Sequence, residues 1–487
     1  PYTGATHVCG SVRETAGRVG YISDVPARFG PFTVECSAEE SKQLDEKKSA
    51  TAAARASARA RFPEMRLERT VPLHGLLSGR NIRIADVNGD GKPEIIVAQS
   101  SATIARKFSM TRLTCLSVLD LDGNLVWQAG VPDTAGVNSG GIMAPPPVGA
   151  APPVSELPFQ IHDLYGDGGR VIVCVFGYDI QVRDGRTGHV LFSAATPDMQ
   201  KSPAGADFKE VTSHFGAPWG DETLNMNVAA IAFCDTHGSG RRHEIIVKDD
   251  FHHLSILDAL SSPPLQSIVR HRGNHGHYPW IGDVDHDGRD EILAGFSLID
   301  DTGRNGWSLP LGGFPSAVAI LDPLNRGDEA LRLMVCAGGQ FYMLNMRQLE
   351  NPIGAADFPH ALGSNAERLS IGKFRRDLQG LQVLTLGGNN AEIVQLYDAS
   401  GKRLWSREFS KSGIGKPVNW TGGLEELILH AAPNGISMLD GRGDVVFGER
   451  DQQRAEDDIA AAIFQKYATF ASVPRDEAIE AEALAQF

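Results

Sequence analysis

One unit recurs along most of this chain, and it restricts the fold more than any other feature. An aliphatic stretch runs into an acidic or glycine-rich loop, and a second aliphatic stretch follows. After a connector come a third stretch, a tight turn and a fourth stretch that often ends in Trp or Phe. The first copy is complete: NIRIAD, VNGDGKPE, IIVAQ, then CLSVLDLDGNLVW. Its second half returns as QVRDGRTGHVLF, SLIDDTGRNGW, VQLYDASGKRLW and SMLDGRGDVVF. Asp-Gly, Ser-Gly and Thr-Gly at these turns are hairpin chemistry, because glycine takes the positive φ the turn requires. The first half returns near Asp86, Asp163, Asp235, Asp283, Asp322, Phe374, Trp420 and Arg475.

The gaps between copies shrink to about forty or fifty residues, which is the spacing of propeller blades. The expected fold is therefore all-β: a single β-propeller of four-stranded blades over residues 66–487. Eight blades are favoured, with seven the alternative. The eighth first half, DIAAAIF to DEAIEAEAL, is rich enough in Ala and Glu to read as helix. If it is strand, LERTVPL at 67–73 completes that blade. Residues 1–65 form a separate arm. Ser37 and Glu40 make a capping-box pattern, and the Ala/Lys/Arg-rich stretch after them reads as one helix ending at Pro63.

The formal net charge is −14, with no Lys/Arg cluster beyond that helix, so the basic footprint of a nucleic-acid partner is missing. No apolar stretch is long enough to span a bilayer. The six cysteines show no zinc-like spacing. Cys115, Cys174, Cys234 and Cys336 sit in strand-like runs and read as small buried hydrophobes. Cys9 and Cys36 lie in the arm, where they can pair. The chain starts at Pro1 without a hydrophobic signal core. It reads as a mature or trimmed chain compatible with secretion.

Two loops carry metal-ligand spacing. Asp86-x-Asn88-x-Asp90-Gly91-Lys92-Pro93-Glu94 puts oxygen side chains at alternate positions, then Gly, then a carboxylate; Asp283-x-Asp285-x-Asp287-Gly288-Arg289-Asp290-Glu291 repeats it. Calcium takes six to eight hard oxygens, and such a loop wraps one side of the ion. Lys92 and Arg289 would add backbone carbonyls only. The expected role is structural. Asp163/Asp167, Asp235/His237 and Asp322/Asn325 have lost ligands and read as ion-free loops.

DVNGDGKPEIIV and DVDHDGRDEILAG resemble the FG-GAP/VCBS-type calcium repeats of β-propeller proteins. The stretch from EIIVKDD through GNHGHYPWIGDVDHDGRDEILAG to SLPLG is similar to propeller polysaccharide lyases of the rhamnogalacturonan lyase kind, and to relatives that cleave rhamnose–uronate linkages. That resemblance implies β-elimination on an acidic polysaccharide or oligosaccharide. Two departures stand out: Gly313-Phe314-Pro315 follows SLPLG in place of a polar His/Asp stretch, and polar residues surround Asn365 where a histidine is expected.

Strand alternation sorts the loops. Connectors between first and second strands carry the aspartates and lie on one face, with His237, His243 and His286. The opposite rim takes the second-to-third connectors and those between blades, with His74, His214, His252, His253, His275, His277, His360 and His430. β-Elimination needs a cation to neutralise the carboxylate, a base for the C5 proton and an acid for the leaving oxygen. The candidates are His275, His277, Tyr278, His252 and His253 for proton transfer. Arg270, Arg272, Lys248, Asn274, Trp280 and Trp219 are the candidates for substrate binding. His275-x-His277 with His252 or His253 is an alternative zinc site. A non-catalytic carbohydrate-binding or adhesive propeller is the second reading. Hydrolysis through Asp249 and Asp250 is a third.

Overall fold

The computed structural model describes residues 38–62, 69–73, 76, 82–105, 108–132, 158–197, 226, 228–249, 253–309, 311, 313, 315–324, 326, 331–346, 361–364, 366–387, 392–409, 414–420, 426–432 and 435–448. The chain divides into two compact units at Ser57/Ala58. One helix, Ala38–Arg59, lies in the expected arm. It stops four residues short of Pro63, and Phe62 N closes a last turn onto Arg59 O. Cys9 and Cys36 lie outside the described residues. No helix among the described residues is long and apolar enough to cross a membrane.

Seven four-stranded antiparallel sheets occupy the described residues, each an uninterrupted meander in chain order. They span residues 82–130, 159–195, 230–272, 280–308, 315–364, 368–409 and 414–447. The segment expected to start an eighth, after residue 450, lies outside the described residues. Its expected partner is corrected: residues 69–73 are not strand. Pro72 lacks an N–H for a ladder and packs where a Cβ on Gly123 would sit. Arg69 binds the first sheet's turn through Leu121 O and Asp122, and Leu73 packs on the Leu76, Val97 and Leu119 cluster.

The turn motif explains the register. In VLDLDGN, Asp120 Oδ1 accepts from Asp122 N and Asn124 N, and Gly123 N donates to Asp120 O. Asp300, Asp398 and Asp440 accept from the residues two and four positions on in the same way. A register shift precedes the turn in each of these sheets, as expected where a hairpin adds one residue to one strand. A Trp within the fourth strand bonds the next sheet: Trp127 Nε1 donates to Gly185 O at 2.8 Å and Trp405 Nε1 to Gly441 O at 3.1 Å. Gly188 and Gly443 have positive φ, and a Cβ on either would strike that indole.

Second strands are buried on both faces, as in Val171–Phe176, Glu244–Lys248 and Gln382–Gly387, and so read as continuous apolar runs. Fourth strands such as Val190–Ala195 and Arg403–Phe409 are exposed or half-buried throughout. Most apolar clusters draw on two successive sheets, for example Val173 and Ile245, or Leu293 and Val335. Each fully buried Val, Leu or Ile contributes roughly 1.5–3 kcal/mol. First strands of successive sheets touch from the second sheet through the seventh. Cys115, Cys174, Cys234 and Cys336 are buried free thiols, and burial pushes Cys174 up to about 12.

Candidate functional site

Meander topology puts the aspartate loops and the second-to-third connectors at opposite ends of each sheet. At the aspartate end the loops bond from sheet to sheet: Arg186 to Asn88 O, Arg241 to Tyr165 O, Arg242 to Asp290. The histidine-rich segment 273–279 leads into the strand Trp280–Gly282, and Asp283 follows at that strand's other end.

That far end is built by the third sheet. Lys248 ends a strand paired on both sides, opposite Ala230 and Leu254, and is fully buried. Its Nζ donates to Asp249 O at 2.7 Å and to Gly276 O at 2.5 Å. This bond ties the second-to-third connector of the third sheet to the segment leading into the fourth. Gly276 has positive φ, and a Cβ there would lie 2.1 Å from Pro315 O. Phe296 N donates to Asn274 O at 3.3 Å. The segment is thus held by three sheets.

Asp249 closes the connector. Its Oδ1 accepts from His253 N at 2.8 Å, and its Oδ2 meets His253 Nδ1 at 2.6 Å. Burial opposes ionisation, but the His253 hydrogen bond and charge, with Lys248 beside it, hold this carboxyl well below its ordinary range. A carboxylate only accepts here, so His253 carries its proton on Nδ1. Its Nε2 is shielded from solvent and has no hydrogen-bond partner among the described residues. Arg272 stands opposite His253 across the strands. Burial lowers Arg272 from the usual guanidinium value, and the charge of Asp249 opposes the shift.

His275 is fully buried, with Nε2 2.7 Å from His271 Nδ1 and the rings 5.0 Å apart. Burial first, then the charges of His271 and Lys248, push His275 well below the usual imidazole value; burial alone lowers His271. His277, Tyr278, Arg270 and Asn274 are half-buried.

Three expectations change. Lys248 is spent on backbone carbonyls inside the protein, so it is not placed to hold a substrate carboxylate. His275 is walled off, so it supports the segment instead of meeting a polymer. Trp280 packs against the Leu293, Phe296 and Leu333 cluster between the fourth and fifth sheets. His430, assigned to the same rim, is buried and stacked on Phe409 at 4.1 Å. His252, Trp219, Asp250, His74, His214 and His360 lie outside the described residues. The Asp249–His253 and His271–His275 pairs were not anticipated. The spacing Asp-x-x-x-His across a strand connector is the one signal that points to the first.

A concavity at the aspartate end is lined by Arg83, Asp86, Gln160 and Arg170 among others. It offers guanidinium groups but neither imidazole nor phenol.

The aspartate loops share one scheme. The residue after the first strand caps the loop, and a carboxylate opening the second strand accepts from the backbone. Asp86 accepts from Gly89 N and Gly91 N, and Glu94 from Val87 N. Asp283 accepts from Asp287 N and Gly288 N, and Glu291 from Val284 N. Oxygens of Asp283, Asp285 and Glu291 lie within 4.8 Å of one another, a donor set that fits calcium. Burial and the charges of Asp285, Asp287 and Asp283 raise Glu291 to about 7. In the first loop Asn88 Nδ2 donates to Glu94 at 2.7 Å, so that amide must turn its oxygen inward to serve as a ligand. Asp90 Oδ1 accepts from Lys92 N, and Asp287 Oδ1 from Arg289 N. The Arg289 guanidinium pairs with Asp301 at 2.5 Å. In the sixth sheet Lys373 holds the capping position, and its ammonium donates to Leu378 O and Gly380 O at 2.5 and 2.7 Å. There a side-chain cation closes the loop.

No family model matches the chain. It is 23% identical over 298 residues to the rhamnogalacturonan exolyase YesX of Bacillus subtilis (strain 168), covering 53% of this chain and 44% of the relative. It is 26% identical over 295 residues to the rhamnogalacturonan endolyase YesW of the same bacterium, with the same coverage. The chain therefore spans less than half the length of the curated relatives it matches. The crystal structure of the exotype rhamnogalacturonan lyase YesX superposes with a TM-score of 0.51 at 17% identity, covering 79% of this chain and 68% of that one. This is a likeness of fold.

Proposed function

We propose that the chain is a secreted, calcium-stabilised β-propeller that cleaves a rhamnose- and uronate-containing polysaccharide of the pectin type by β-elimination. The propeller reading rests on consecutive four-stranded meanders whose first strands touch in chain order. The lyase reading rests on the two relatives and on one contact. Lys248 binds Gly276 O, and this joins the Asp249–His253 pair to the segment carrying His277 and Tyr278.

In this reading Arg270 and Arg272 face the uronate carboxylate and acidify the C5 proton. His277 takes that proton, the C4–O bond breaks as the C4–C5 double bond forms, and Tyr278 protonates the departing oxygen. Asp249 fixes the tautomer of His253 and leaves Nε2 as its basic nitrogen, so His253 becomes the second candidate base where substrate binding uncovers that atom, which is shielded in the free protein. Incubation with rhamnogalacturonan, ulvan and gum arabic, followed by the ultraviolet absorbance of unsaturated uronate, is expected to give a signal on at least one. Folded, calcium-loaded protein that binds these polymers without releasing unsaturated product would instead establish a binding module. The burial of Lys248 and His275, with Trp280 packed against an apolar cluster, leaves fewer groups open to substrate and favours that second reading.

Calcium bound by the Asp283 loop, and by the Asp86 loop once Asn88 turns, would pin first to second strands and take no part in the chemistry. A ligand held only by the folded state adds about 2.7 kcal/mol at a hundredfold excess over Kd. Chelation is therefore expected to lower the urea midpoint, with calcium but not magnesium restoring it. Asp283→Asn should remove part of that response. A midpoint indifferent to chelator would sink the calcium assignment.

A further inference from the structure

The third sheet's aspartate loop holds a group that the lyase reading leaves unused: His237, His243 and Glu244. Their ligand atoms all lie within 4.8 Å of one another. Glu244 opens the second strand opposite Cys234, as Glu94 does opposite Ala85 and Glu291 opposite Gly282. Asp235 caps this loop through Ser239 N and Gly240 N, as Asp86 and Asp283 cap theirs. Two residues on, where those loops carry Asn88 and Asp285, this one carries His237. The architecture of a calcium loop is retained, with an imidazole in place of a hard oxygen.

The hydrogen bonds leave ligand atoms that a cation could take. Glu244 is fully buried. Its Oε2 accepts from Thr236 N at 2.6 Å, which leaves Oε1 for the histidines. His243 Nδ1 lies 3.0 Å from Arg241 O and 3.2 Å from Ser239 Oγ; with its proton directed at the carbonyl, which only accepts, Nε2 keeps its lone pair. Yet Nε2 faces Glu244 Oε1 at 3.6 Å. A divalent cation set between these two atoms would use both lone pairs. On the other side, His237 Nδ1 hydrogen-bonds the same Oε1. His237 is more than half exposed, so one side of the group is open to solvent.

We propose that His237 Nδ1, His243 Nε2 and Glu244 Oε1 form a binding site for a zinc-class divalent transition metal, separate from the calcium loops. Two imidazoles and one carboxylate make a set that zinc takes readily and calcium does not. Arg241 O is the outer partner that fixes the His243 tautomer. Binding releases the proton that His237 shares with Glu244. The fourth position, on the exposed side, is left to water.

The test uses the full chain, stripped with chelator and returned to excess calcium. Zinc is titrated calorimetrically, and cobalt serves as a spectroscopic probe of coordination. Wild type is expected to bind one equivalent more zinc than His237→Ala, and one more than His243→Ala. Asp283→Asn should keep that equivalent. The extra cobalt absorption should vanish in the same two variants. His237 is exposed, so its variant keeps the fold, and circular dichroism checks both. Equal zinc stoichiometry in wild type and in the His237→Ala/His243→Ala double variant overturns the site, whatever other histidines bind. So does failure of wild type to bind zinc.

Discussion

In excess calcium, His275→Gln is expected to make the fall of stability with pH below 6.5 shallower by about one proton. Burial holds His275 far below the usual imidazole value of 6.5, so the folded state keeps it neutral. The unfolded chain protonates it at that ordinary value. The folded pKa is the depressed one. Its contribution is therefore complete above pH 6.5 and is lost as the pH falls towards the folded value. While the unfolded state carries the extra proton, stability falls by about 1.4 kcal/mol per pH unit. His271, also lowered by burial, adds in the same direction. Urea denaturation of wild type and His275→Gln between about pH 7.5 and 5 measures both slopes. The variant should start lower, because His271 Nδ1 loses its 2.7 Å partner, and then fall more gently. Parallel slopes would mean that His275 is protonated inside the fold.

That result would separate two histidines which look alike in GNHGHYPW. Alternation along a strand, and Asp and Gly at fixed places in a turn, are local rules, so the four-stranded repeat could be read directly. Asp120, Asp300, Asp398 and Asp440 act as their positions imply. The aspartate loops were legible for the same reason: capping by Asp86 or Asp283 involves residues three to five positions away. What strand alternation could not show was depth. Lys248 reads as a rim cation because it ends a strand. Pairing on both sides and the close passage of Gly276 put its ammonium inside.

The unforeseen contacts share a cause. Asp249 reaches His253 across a connector and His271 reaches His275 across a bend, and both depend on how the chain folds back. In the third aspartate loop the change from Asn88 or Asp285 to His237 reads as a lost calcium ligand. His243 joins His237 only because Glu244, the first residue of a buried strand, sits between them in space. Trp280 shows the opposite error. An aromatic beside histidines suggests a sugar platform, but the layer between the fourth and fifth sheets takes it in.

Two residues beyond His275, His277→Ala is expected to lower turnover on the cleaved polymer by about 10²–10⁴-fold, the usual contribution of a general base or acid. Stability at neutral pH should hardly change, since His277 is half-buried, whereas His275 is fully enclosed. The loss should fall on kcat more than on KM, because removing the proton acceptor raises the barrier and leaves Arg270 and Arg272 to hold the carboxylate. Tyr278→Phe should reduce turnover too, with the alkaline side of the pH profile changed, as expected if the phenol delivers the proton to the leaving oxygen. Asp249→Asn discriminates within the site. The carboxylate fixes the His253 ring through a 2.6 Å contact, so an amide there disturbs the tautomer and not the His277 chemistry. If His277→Ala retains full turnover while Asp249→Asn loses it, His253 is the base and the assignment to His277 fails. If neither variant alters turnover, β-elimination does not occur at this end of the third sheet.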